Sequence, residues 1–128
     1  MDQEITTLTV KGHADTIRFH LKMPTVAEDT SYTQRFAQIA DKKGEAKANA
    51  EYAIYSDTLA AWSAKHPERV TESDGEETVT ALEGETPEEA AKSYFDSRSA
   101  SKEWMAVTAV SAFRNSLFPT VVFHEHSA

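Results

Sequence analysis

The sequence predicts an α+β fold, predominantly helical, with an N-terminal β-hairpin packed on about four helices. Three observations predict it. The first 23 residues alternate apolar and polar with period two, apolar residues from 25 to 118 recur three and four apart, and helix-capping signatures and prolines divide that second region. At 128 residues the chain has the length of one domain. We divide it into a hairpin at 1–23, two helices at 25–66, an acidic loop at 67–85, two helices at 86–118 and a C-terminal tail at 119–128.

In "ITTLTV" Leu8 and Val10 alternate with threonines, and in "TIRFHLKM" Ile17, Phe19, Leu21 and Met23 alternate with Arg18, His20 and Lys22. Gly12 and Asp15 in "KGHAD" supply the reversal. Two strands alone are marginal in water, so their apolar face must meet helices or further strand. Pro24 stops the second strand, and "TVAE" is a capping box in which Thr25 and Glu28 serve each other's backbone N–H. The first helix carries Tyr32, Phe36, Ile39 and Ala40 along one stripe, with Gly44 as its stop.

A second helix is expected from about Ala46 to Lys65, ended by Pro67. Its seam of Ala48, Tyr52, Tyr55, Leu59 and Trp62 is either core, the commoner use of such a stripe, or a groove for a ligand. Thr86, Pro87 and Glu89 begin a third helix carrying Ala90, Ala91, Tyr94 and Phe95. Ser101 caps a fourth, where Trp104, Met105, Val107, Val110, Phe113 and Leu117 wrap most of the circumference, which makes a helix central. Pro119 ends it, and "TVVF" in the tail is either a last strand or an exposed apolar segment.

Charge is concentrated. Residues 68–96 hold ten carboxylates against two cations, which accounts for the whole formal net charge of −8. Four of them, Glu83, Glu85, Glu88 and Glu89, surround a helix start, where the dipole favours them. Glu72, Asp74, Glu76 and Glu77 form an acidic surface on "ESDGEE", which reads as a turn-like, solvated loop. The balance argues against nucleic-acid binding, which needs a basic stripe. The only candidate stripe is Lys42, Lys43 and Lys47.

No cysteine is present, which excludes disulfides and thiolate chemistry. The longest nearly apolar run, 104–112, is too short to cross a bilayer, and the N-terminus lacks a signal-peptide pattern. The expectation is a cytoplasmic protein with no membrane partner. His124 and His126 face one way in an extended chain, but a metal site wants three or four ligands. No serine lies in a nucleophile elbow and no glycine-rich phosphate loop exists. The expectation is therefore no enzyme, no catalytic residue, no metal and no cofactor.

The order of parts resembles the tail assembly chaperones of long-tailed bacteriophages. "TIRFHLKMPTVAE" at 16–28 matches a strand running through a proline into a helix. "DTLAAWSAKHPERV" and "EEAAKSYFDSRSASKEWM" match a tryptophan-bearing helix, an acidic connector and further helices. The resemblance covers the order of elements over most of the chain. It implies a chaperone, in the host cytoplasm, that holds a hydrophobic helical client such as the tape-measure protein. Tyr52, Tyr55, Trp62, Trp104 and Phe118 are then the partner-binding candidates, and the acidic loop a solvating fringe. Two other classes compete: an acidic inhibitor mimicking nucleic acid, and a self-assembling phage structural subunit, a homo-oligomer whose exposed strand edges a neighbour completes.

Overall fold

The computed structural model describes residues 4–119 and 121–124. Its elements run β1 (Ile5–Lys11), β2 (Thr16–Lys22), α1 (Val26–Gln38), α2 (Gly44–Trp62), β3 (Ser63–Ser73), β4 (Glu76–Ala81), α3 (Pro87–Asp96) and α4 (Ala100–Ser116). The fold is mixed α+β: four helices and one antiparallel sheet in the order β1-β2-β3-β4. The N-terminal strand pair is half of that sheet, and α1 and α2 are inserted between its halves.

The β1–β2 register pairs Leu8 with Phe19 and Val10 with Ile17, and the Gly12 N–H closes the turn on the Asp15 carbonyl at 2.8 Å. Ile17, Phe19 and Leu21 are completely buried under the helices. Each contributes roughly 1.5–3 kcal/mol by leaving water. Met23 continues the alternation but lies past the last strand pair and is exposed. The Thr25–Glu28 capping box is present in both directions. The Thr86 hydroxyl accepts from the Glu89 N–H, with Pro87 at the first helical position.

The acidic loop expected at 67–85 is instead mostly a β-hairpin. β3 and β4 pair from Glu68–Ala81 to Ser73–Glu76, around a two-residue turn of Asp74 and Gly75. Both turn residues have positive φ, 54° and 81°, as a type I′ turn demands. Helix α2 stops at Trp62, short of Lys65, and Pro67 lies buried within β3 rather than ending a helix. The β2–β3 register slips between Arg18 and His20, beside Pro67, so the missing proline N–H falls where the ladder is already irregular. Gly44, expected to stop the first helix, begins the second with φ +60°.

The cap of α4 is Ser99, two residues before the expected Ser101. One face of α4 is buried, through Met105, Ala106, Ala109, Val110 and Phe113, rather than its whole circumference. Helix α2 packs against α1, α3 and α4, while α3 lies over β3 and α4 over β1. The stripe of α3, Ala90, Ala91, Tyr94 and Phe95, is buried as expected.

Candidate protein-binding surface

Three of the five aromatic candidates are structural. Trp62 is 3% exposed, with its ring 5.9 Å from Tyr32 and 5.8 Å from Phe113. The Tyr52 hydroxyl donates to the Phe95 carbonyl at 2.6 Å, and Arg98 stacks over its ring at 5.0 Å. Tyr55 meets Phe36 edge-on at 5.2 Å. Burial raises the hydroxyl pKa of both tyrosines. Of the seam, Leu59 and Trp62 are buried in the core, Tyr52 and Tyr55 pack against it partly buried, and Ala48 is exposed.

Trp104 and Phe118 are surface residues, 71% and 73% exposed. They stand at opposite ends of α4, roughly 20 Å apart at 1.5 Å per residue, so the structure does not unite them. Phe118 has apolar company that the sequence spacing did not reveal. A cleft of about 320 Å³ opens between the start of α1 and the end of α4, lined by Met23, Pro24, Val26, Leu117 and Phe118 among others. Val26, at the first position of α1, is 85% exposed.

Side-chain contacts join the walls of this cleft. Arg114 of α4 reaches Asp29 of α1 at 3.0 Å and lies over the Tyr32 ring at 4.5 Å. The capping box sets the direction of α1 at the same point. The Thr25 backbone N–H donates to Glu28, which holds its carboxyl below the ordinary range. Beyond Phe118, the side chains of Val121, Val122 and Phe123 are also exposed, and residues 121–124 form no strand. Thr120, Glu125 and His126 lie outside the described residues, and with them part of the "TVVF" strand and the His124–His126 pair.

A second cleft of about 360 Å³ separates α1, α2 and α3, but four of its five charges pair with each other, Arg35 with Asp57 at 3.1 Å and Lys92 with Glu88 at 3.1 Å, and Glu28 pairs with Lys22. It offers little to an apolar ligand.

Glu72, Asp74, Glu76 and Glu77 are all exposed, on the ordered β3–β4 hairpin. Glu77 pairs with Arg18 at 2.8 Å, and Glu68 meets His20 Nε2 at 2.5 Å. His20 Nδ1 is 2.9 Å from the Thr7 hydroxyl. This threonine–histidine–carboxylate row links β1 to β3 across β2 on the outer sheet face. Its spacing is that of cross-strand neighbours. Among the described residues no group of three or more ligating side chains gathers to hold a metal ion, and no helix is long and apolar enough to cross a membrane.

These features define a class, a mixed α+β protein with an apolar cleft at one end and an acidic hairpin at the other edge of its sheet. Comparison with protein-family models, curated proteins and solved structures finds no match to this chain.

Proposed function

We propose that this chain is a non-enzymatic, protein-binding chaperone that holds an apolar helical segment of a client. The observation that carries this reading is the cleft of Met23, Pro24, Val26, Leu117 and Phe118, which leaves large apolar side chains uncovered. A helix laid in a groove with apolar anchors three and four apart suits such a surface. The net charge of −8 keeps the loaded complex in solution by self-repulsion.

The bacteriophage resemblance makes the client the tape-measure protein and the setting tail assembly in the host cytoplasm. The test is co-expression with fragments of the tape-measure protein encoded in the same genome. A soluble complex that Phe118→Asp or Val26→Asp abolishes, with the fold intact by circular dichroism, supports the reading. Fragments that remain insoluble beside the folded wild-type protein contradict it.

One observation favours a second reading, an inhibitor that mimics nucleic acid. Mimicry needs carboxylates on a rigid support, and the acidic stretch is a hairpin rather than a loop. Against it, Glu68 and Glu77 already meet His20 and Arg18 within the molecule. That reading requires binding to a basic enzyme with steep salt dependence, lost when Glu72, Glu76 and Glu77 become glutamine.

A further inference from the structure

Among the described residues the sheet has two open edges, and they are guarded differently. Edge strand β4, "EETVTA", carries Glu76 and Glu77 and lies beside Glu72 and Asp74. Two copies meeting there would press like charges together. Edge strand β1, "ITTLTVK", has no charge from Ile5 to Val10, no proline and no bulge in its pairing with β2. Charges, prolines and bulges are the usual protections of an edge, and β1 lacks all three along that stretch.

The backbone of β1 is also set for pairing. The Gly12 N–H donates to Asp15 and the Met23 N–H to Glu4. Bonded and non-bonded pairs alternate along an antiparallel ladder, so Thr6, Leu8 and Val10 direct their N–H and C=O groups to β2. Those of Ile5, Thr7, Thr9 and Lys11 point away from the sheet.

We propose that β1 is a dimerisation edge: two copies of this chain pair their β1 strands antiparallel about a two-fold axis at Leu8. In that register Ile5 faces Lys11 of the second copy, Thr7 faces Thr9, and Leu8 faces its own equivalent. Residues opposite each other share a face of the sheet and the same hydrogen-bonding parity. The whole strand 5–11 is self-complementary, and every outward N–H and C=O finds a partner. The result is one continuous eight-stranded sheet.

Electrostatics and the helix layer agree. The acidic hairpins lie at the two far ends of the joined sheet. Helix α4 lies over β1, with the Met105 side chain so close to Gly12 that an added Cβ would meet its Cε at 2.7 Å. None of the fully exposed residues of α4, Trp104, Thr108, Ser111, Ala112 and Asn115 among them, carries a charge. The pairing does not involve the client cleft, so the two proposals fail separately.

The experiment uses the full chain. Sedimentation equilibrium across the micromolar range is expected to give twice the chain mass of 14.2 kDa. Thr9→Pro removes an outward N–H that β2 does not use, and is expected to give the single-chain mass with unchanged circular dichroism. Because the chain has no cysteine, single-cysteine variants report the register directly. Leu8→Cys places two thiols at a non-hydrogen-bonded pair about 4.5 Å apart between Cα atoms, within disulfide reach. It is expected to cross-link under mild oxidation while Thr6→Cys does not. A wild-type mass of one chain throughout, a folded Thr9→Pro dimer, or equal cross-linking of the two cysteine variants overturns the proposal.

Discussion

Trp62 is 3% exposed between Tyr32 and Phe113, while Trp104 is 71% exposed on the far side of α4. Truncating them must differ accordingly. Trp62→Ala is expected to cost about 3–5 kcal/mol in denaturant unfolding, the range for emptying a large core site. Trp104→Ala is expected to stay within about 0.5 kcal/mol. Trp104→Phe should remove the quencher-accessible, red-shifted part of the tryptophan emission and leave a blue-shifted, protected remainder. Both rings appear at helical spacing in the sequence, and spacing alone does not separate them. Trp62 shares its face of α2 with Leu59, whereas Trp104 points the opposite way from Phe113 around α4. The contrast is visible once the buried face is known to be one-sided. Glu28 acts at the same scale. The Thr25 N–H lowers its pKa from 4.5, so its stabilising effect is present above pH 4.5 and is lost as pH falls through the lower folded value. Glu28→Gln should flatten that acid limb in Tm against pH. Thr25→Ala should cost about 1 kcal/mol at neutral pH.

Among the elements, those announced by local chemistry were legible. The β1–β2 pair follows from the alternation of Leu8 and Val10 and of Ile17, Phe19 and Leu21, and α1 and α3 follow from their threonine caps. The β3–β4 hairpin is hidden in the sequence because its acids look like a solvated loop and Pro67 looks like a helix stop. The usable signal was "DG" flanked by the alternating runs "RVT" and "TVTAL", the pattern of a type I′ hairpin. The charges of Glu72, Asp74, Glu76 and Glu77 sit at the exposed turn end of the hairpin, where water solvates them at little cost. The proline is tolerated because it falls at a register slip. Gly75 holds φ +81° with no heavy atom near its missing Cβ. Gly75→Ala is therefore expected to cost about 1–2 kcal/mol from backbone conformation alone. Hydrogen exchange should show that loss first in β3 and β4, with β2 and α4 less affected.

At the scale of the molecule, the four tyrosines report one property, the closure of the core around α1, α2 and α3. Burial raises the hydroxyl pKa of Tyr32, Tyr52, Tyr55 and Tyr94, that of Tyr32 to about 12, and the Asp15 carboxylate beside Tyr94 adds to the effect. The neutral phenols favour the folded state. Their contribution is present below pH 10 and is lost as pH rises through the folded values. Alkaline titration by ultraviolet absorbance should show ionisation displaced to higher pH in the native protein than in denaturant. Outside this closed core lie the apolar cleft at the end of α4 and the acidic hairpin at the β4 edge, the two surfaces on which the competing functions depend. Backbone amide shifts of the isotopically labelled protein, titrated with an apolar helical peptide from the proposed tape-measure client, test the choice between them most directly. Docking in the apolar cleft is expected to give perturbations centred on Met23, Val26, Leu117 and Phe118. Perturbations confined to residues 72–77, or none at saturating peptide, would contradict it.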